Sequence, residues 1–235
     1  MSPSRLSDGL RELLQPDTAQ AWEVLAPELP AELYLVGGTG VAAHLEHRRS
    51  RDLDFFYHRS AVDLDALARR LGRLGRFEVT ERAAGTLGGV LGATPVQVLH
   101  ADEVRPQRRL EPSVPIAGMR VAGIADLMAT KLAAVTGRGE LRDYYDLMAI
   151  EQRTGRRVEE GLGLFLTRYE PTEPAGQAIG RIVTALGYLD DLDDDDLVPA
   201  ARQDIAHYWQ RRQPALLAAT SRYGVAPARA GRPAR

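Results

Sequence analysis

The chain has 235 residues, a net charge of −2, 44% hydrophobic and 26% charged residues, and no cysteine. That length accommodates one large domain or two small ones around a sizeable core. The lack of thiols excludes disulfide scaffolds, thiolate metal sites and cysteine nucleophiles, and the near-neutral charge excludes a global basic field for nucleic acid.

Met1–Gln15 is amphipathic and charged, and no stretch approaches the ~20 apolar residues of a membrane span, so the expectation is a cytoplasmic protein. Arg5–Leu14 and Thr18–Leu25 predict two short helices, with Pro16-Asp17 as break and N-cap. Leu33–Val36 predicts a buried strand, Thr39–Glu46 a helix opening from the Gly37-Gly38 turn, and Asp52–Tyr57 a second strand. Val62–Leu74 reads as a helix with Leu64, Leu67, Ala68 and Leu71 on one face. Phe77–Arg82, Thr86–Leu91 and Pro95–His100 read as strands joined by glycine-containing turns. The order predicts an α+β fold, with a mixed sheet and flanking helices over residues 1–118. Beyond Gly118 the pattern is helical only: Ile124–Thr136, Glu140–Arg153, Val158–Arg168, Ala175–Leu186, Pro199–Arg212 and Pro214–Arg222. Residues 119–224 then form a helical lobe, and 225–235 a disordered basic tail.

Residues 37–56 hold the densest chemistry. Gly37 and Gly38 end an apolar run, letting backbone N–H groups approach a phosphate, and Thr39 adds a hydroxyl where a helix begins. On a strand, Asp52 and Asp54 point to one face while Leu53 and Phe55 point to the other. Two carboxylates on one face repel unless a cation lies between them, and Mg²⁺ bridging phosphate oxygens fits that place. Asp-x-Asp and Gly-Gly each recur by chance, and a tight turn with a solvated strand edge explains either alone. It is the ordered set, with Arg48-x-Ser50-x-Asp52-x-Asp54 following the glycine turn, that points to a nucleoside triphosphate and its metal.

Of the 30 basic residues, Lys131 alone is a lysine. A GC-rich genome explains the arginine bias, and a position that keeps lysine points to a need for a compact ammonium aimed at one phosphate oxygen. Lys131 and Arg138 share a helix face unless Gly137-Arg138-Gly139 ends the helix, and Gly139 reads as a turn. Arg142 and Asp146 are spaced for an i, i+4 salt bridge. The run Asp190-Asp191-Leu192-Asp193-Asp194-Asp195-Asp196 reads as a solvated loop capping the next helix, since a calcium loop would need a glycine and a terminal glutamate. His44 and His47 suit helix packing or phosphate contacts. His207, Tyr208 and Trp209 suit packing among the last helices, or stacking on a base if exposed. Arg69, Arg70, Arg73 and Arg76, and Arg105, Arg108 and Arg109, are weak candidates for RNA contact.

Gly37-Gly-Thr followed by His44-x-x-His47-Arg48-x-Ser50-x-Asp52-x-Asp54-Phe55-Phe56 resembles motif I of the AbiEii-type (AbiEii/MenT-like) nucleotidyltransferases, a family of abortive-infection and toxin–antitoxin toxins. Lys131-Leu-Ala-Ala-x-x-Gly-Arg138-x-x-x-Arg142-Asp143-x-x-Asp146-Leu resembles that family's second signature. The resemblance implies a minimal nucleotidyltransferase sheet followed by a helical C-terminal lobe. By position, Asp52 and Asp54 would hold Mg²⁺ (or Mn²⁺) on an NTP substrate, and Gly37, Gly38, Thr39, Arg48 and Ser50 would line the phosphate pocket. Lys131 would neutralise phosphate charge, and Asp143 or Asp146 would complete the catalytic set. It also implies an RNA acceptor, with tRNA 3′ ends favoured, and a cognate antitoxin. Ser50 matches a position that is phosphorylated in related toxins.

One departure stands out. The wider superfamily supplies a third carboxylate from a later strand, whereas Pro95–His100 has no acid and the next is Asp102. A second metal then lacks its usual ligand, and a carboxylate of the helical lobe or His100 is left to activate the attacking hydroxyl. Two other functions remain open: a nucleotidyltransferase acting on a small molecule of the aminoglycoside type, and a decayed NTP- or RNA-binding module.

Overall fold

A computed structural model describes residues 5–58, 62–74, 77–102 and 106–224. Its strands are β1 (Tyr34–Leu35), β2 (Leu53–Tyr57), β3 (Phe77–Ala83), β4 (Thr86–Leu91), β5 (Thr94–His100), β6 (Val114–Ile116) and β7 (Met119–Val121). They form one mixed sheet in the order β3-β4-β5-β2-β1-β7-β6. Strand β2 runs antiparallel to β1 and parallel to β5, while β7 is parallel to β1. The acid-bearing strand is therefore central, and both its neighbours constrain where its side chains point.

Alternation gives the sheet two different faces. Leu53, Phe55 and Tyr57 of β2 point with Val96, Val98, Leu87 and Leu91 into a core closed by α1 (Asp8–Leu13), α2 (Pro16–Leu25) and α4 (Leu64–Gly72). Leu10, Trp22, Leu25, Leu67 and Leu71 fill it from the helix side. Helix α4 is capped by Asp63, whose carboxylate accepts from Ala66 N at 2.9 Å. On the opposite face Tyr34 and Val36 join a second core made by α3 (Gly37–Leu45), α5 (Ile124–Thr136), α6 (Leu141–Thr154), α7 (Val158–Tyr169), α8 (Ala175–Gly187) and α9 (Arg202–Thr220). The helical lobe thus rests on the β1 side of this face, and Asp54 lies at its margin.

Two expectations from the sequence are corrected. The helical pattern begins at Ile124 rather than after Gly118, because the β6–β7 hairpin adds two strands to the sheet. Its turn places both Ala117 (φ 44°) and Gly118 (φ 79°) in the left-handed region. Such turns usually announce themselves with Asn-Gly or Asp-Gly, and an alanine there hides the signal. The two helices expected on either side of Pro214 are one, since α9 continues through that proline. Ile205, Trp209 and Leu216 are all fully buried in the same core, which holds both halves on one axis against the cost of the proline. Helix α5 does end before Gly137, as the glycines suggested. The tail at 225–235, Arg76 and Arg105 lie outside the described residues.

Candidate active site

The chain passes from β1 into α3 directly beside the acids of β2. Val36 N donates to the Asp54 carbonyl at 2.8 Å, and Gly37 then adopts φ +68°. A Cβ at Gly37 would lie 2.6 Å from Asp54 Oδ2, so the turn brings bare backbone against that carboxylate. A Cβ at Gly38 would collide with the Arg48 guanidinium. The glycine pair therefore sits between one acid and one cation of the site.

The two hydroxyls expected at a phosphate pocket point inward. Thr39 and Ser50 are buried, with Thr39 Oγ1 2.6 Å from Ser50 Oγ and donating to the Asp52 carbonyl at 2.5 Å. These bonds tie the start of α3 to the chain entering β2 at Ser50 and Asp52. The Ser50 hydroxyl, five per cent exposed as a residue, is engaged by Thr39 rather than turned to solvent.

Asp54 lies on the face of β2 opposite Leu53 and Phe55, whereas Asp52, expected within the strand, sits one residue before it and acts on Asp54 through its charge. Burial pushes the Asp54 carboxyl up from its ordinary value and the Asp52 charge adds to this, while Lys131, Arg138 and Arg142 oppose it. A carboxyl strained by burial and by a like neighbour gains from a shared cation, so this donor set fits a divalent ion. Among the described residues no group of three or more His, Asp or Glu side chains forms a metal-binding cluster.

Asp143 and Asp146 project from the buried side of α6, and both are saturated by cations. Arg48 forks onto Asp146, Nε to Oδ1 at 2.5 Å and Nη2 to Oδ2 at 2.9 Å. Lys131 Nζ reaches Asp146 Oδ2 at 2.6 Å and Asp143 Oδ1 at 2.8 Å, and His47 Nε2 lies 2.7 Å from Asp146 Oδ1. Arg138 reaches Asp143 from the turn after α5, with Nε on Oδ2 and Nη2 on Oδ1 at 3.0 Å each. Lys131 and Arg138 therefore converge on one carboxylate although their helix has ended between them. Burial pushes the Asp146 carboxyl up, but the charges of Arg48 and Lys131 and the bonds from Arg48 and His47 outweigh it and hold it well below the ordinary range. Burial holds the His47 imidazole below its ordinary value, and stacking on Tyr145 fixes its plane. Arg138 also pairs with Glu140 Oε2 at 3.1 Å, and Lys131, Arg138 and Arg142 all lie near enough for their charges to act on Asp54.

Arg142 does not make the i, i+4 pair with Asp146. It forms ion pairs with Glu140 Oε2 at 2.5 Å and Asp195 Oδ2 at 3.2 Å, because Asp146 faces the interior and is already occupied. The acidic run does not cap α9, whose N-cap Ala201 makes no side-chain bond. It instead forms one wall of a cavity of about 390 Å³, with Asp191 and Asp193–Asp196 facing Arg51, Arg138 and Arg142. His44 bonds the Ala122 carbonyl at 2.8 Å and serves helix packing. Trp209 is buried and donates to the Tyr144 carbonyl, while Tyr208 bonds Glu151.

Across the sheet, Asp54 is in register with Gln97 of β5, Gln97 with Gly88 of β4, and Gly88 with Glu81 of β3. An amide, not a third carboxylate, stands beside Asp54. His100 alternates to the other face, where it stacks on Tyr57 at 4.9 Å, so it is turned away from the acids. The sequence pattern contained the Asp54–Gln97 pairing only implicitly, since alternation gives a face but not a register.

The model of a family described as nucleotidyl transferase AbiEii toxin, Type IV TA system, matches residues 23–220. A protein of Aquifex aeolicus (strain VF5), described as uncharacterized, is 24% identical over 202 residues, covering 86% of this chain and 92% of its own. The fold is similar to that of JHP933 from Helicobacter pylori (TM-score 0.52, 19% identity, 93% of this chain and 96% of that one). It is also similar to an H. pylori protein described as a candidate nucleotidyltransferase (TM-score 0.54, 18% identity, 92% of this chain and 98% of that one).

Proposed function

The chain belongs to the AbiEii nucleotidyl transferase toxin family, and from that premise we propose that it moves a nucleotide from an NTP to an RNA hydroxyl, releasing pyrophosphate. The observation that carries this reading is the placement of Gly37 backbone against Asp54, with the charges of Asp52, Lys131, Arg138 and Arg142 acting on that carboxyl. Asp52 and Asp54 are the residues that would hold Mg²⁺ or Mn²⁺, and the bound ion would supply charge neutralisation on the phosphates. The glycine turn offers backbone N–H groups to the triphosphate, and the cations of the second signature offset the charge that develops on the leaving pyrophosphate. In this reading Asp143 and Asp146 are positioning residues. They aim Lys131, Arg138 and Arg48, and they carry no proton in the reaction.

The acceptor is tRNA, with its 3′ end favoured, and the protein acts in the cytoplasm alongside a cognate antitoxin. One observation favours a second reading, an acceptor of the aminoglycoside class: the sheet face beyond Asp54 carries Gln97 and Glu81 and no basic side chain among the described residues of β3, β4 and β5. Offering each of the four α-labelled NTPs with Mg²⁺ to total tRNA and to an aminoglycoside panel separates the two. Label on tRNA is the expected result. Label on the aminoglycoside alone replaces the acceptor, and NTP binding without pyrophosphate release overturns transfer.

A further inference from the structure

We propose that Glu81 is the general base that takes the proton of the acceptor hydroxyl, with Gln97 holding that hydroxyl; this assignment rests on the nucleotidyl transfer proposed above. An irregularity in the β3–β4 register between Val79 and Glu81 sets Glu81, rather than its neighbour Thr80, opposite Gly88. Gly88 has no side chain, and the Glu81 carboxylate occupies the space. A Cβ at Gly88 would lie 3.0 Å from Glu81 Cβ and 3.4 Å from Glu81 Oε2. The carboxylate therefore lies over Gly88, the residue that pairs with Gln97 on the next strand. With strands ~4.8 Å apart, two steps across the sheet separate Gly88 from Asp54 by about 10 Å, which leaves room for an acceptor hydroxyl over Gln97.

The groups that the sequence offered for this role are set aside by their surroundings. Asp143 and Asp146 are fully buried and held by cations, and His100 is on the wrong face. Asp52 and Asp54 are assigned to the metal. Glu81 is solvent-exposed and so is Gln97. A neutral amide orients a hydroxyl without competing for its proton, and the carboxylate one strand beyond Gly88 then accepts it. In the step itself, the acceptor O–H bond breaks as its proton passes to Glu81 Oε2. The freed oxygen bonds to the α-phosphorus, the bond from that phosphorus to the bridging oxygen breaks, and pyrophosphate leaves with the electron pair. Glu81 returns the proton to water.

The test is transfer of α-labelled NTP to total tRNA in Mg²⁺, comparing the wild type with Glu81→Gln, Glu81→Asp and Glu81→Ala, and with Glu78→Gln as a control on the same strand. Glu81→Gln is expected to lower kcat by about 10²–10⁴-fold with NTP binding unchanged. Glu81→Asp should retain part of the rate, formate should restore Glu81→Ala in proportion to its concentration, and Glu78→Gln should match the wild type. A Glu81→Gln enzyme at the wild-type rate overturns the assignment and leaves the transfer reading standing. So does a loss that formate does not rescue. A wild type that transfers to no acceptor removes the transfer reading, and Glu81 with it.

Discussion

The guanidinium of Arg48 forks onto the Asp146 carboxylate, joining the segment before β2 to the buried side of α6 across 98 positions of sequence. Lys131 and His47 close on the same carboxylate. A buried ion pair adds little over an apolar pair, but removing one partner leaves the others uncompensated. Asp146→Ala is expected to cost about 3–5 kcal/mol. For a chain of this size that lowers Tm by roughly 6–20 °C. Thermal unfolding measures it, and an unchanged Tm would remove Asp146 from the positioning role.

Asp146 also makes stability depend on acid. Its carboxyl titrates near 3.9 in an unfolded chain and well below that in the fold. A depressed folded value gives stability that is fully present above the unfolded value and is lost as pH falls through the folded one. Denaturant unfolding is therefore expected to show this contribution constant above about pH 5 and declining below about pH 4. The acid-side slope should be shallower in Asp146→Asn.

Gly37→Ala tests the close approach of backbone to the acid. The residue has φ +68°, and a methyl group would lie 2.6 Å from Asp54 Oδ2. The left-handed conformation alone costs an alanine about 1–2 kcal/mol, and Asp54 must also move. NTP affinity in Mg²⁺ is expected to fall at least tenfold while the helical lobe remains folded. Undiminished affinity would place the phosphates elsewhere.

The acidic wall at Asp191–Asp196 lies opposite Arg51, Arg138 and Arg142. A polyanionic substrate approaching those arginines meets that wall. Replacing Asp193, Asp194 and Asp196 together with Asn is expected to tighten NTP binding by about 1 kcal/mol, about fivefold, at low salt. The gain should shrink as ionic strength rises. Titrations at two salt concentrations check it.

Much of this site was legible in the residues, and what was not has identifiable causes. Alternation alone placed Asp54 opposite Leu53 and Phe55, and apolar periodicity located α5 to its end residues. The phosphate role expected for Ser50 and Thr39 rested on residue type. Whether a hydroxyl faces a ligand or another hydroxyl depends on how α3 meets the chain entering β2, which is a tertiary fact. The partners of Asp143 and Asp146 were hidden for the same reason. Arg142 was the neighbour in sequence, but Arg48 and Lys131 were the neighbours in space. The backbone chemistry of Pro214 predicts a break, and buried Trp209 and Leu216 on either side keep the helix continuous. Gln97 and Glu81 gave no motif at all, since a pairing register across four strands lies in no local pattern.

The central claim is that Asp52 and Asp54 form the reacting centre for nucleotidyl transfer. Its most direct test is label transfer from α-labelled NTP to total tRNA in Mg²⁺ by the wild type and by Asp54→Asn, with the Tm of both recorded. The wild type is expected to put label on RNA with matching pyrophosphate release. Asp54→Asn should show neither, at a Tm no lower than the wild type, because burial and the Asp52 charge already disfavour the ionised carboxylate. Full transfer by Asp54→Asn would contradict the claim.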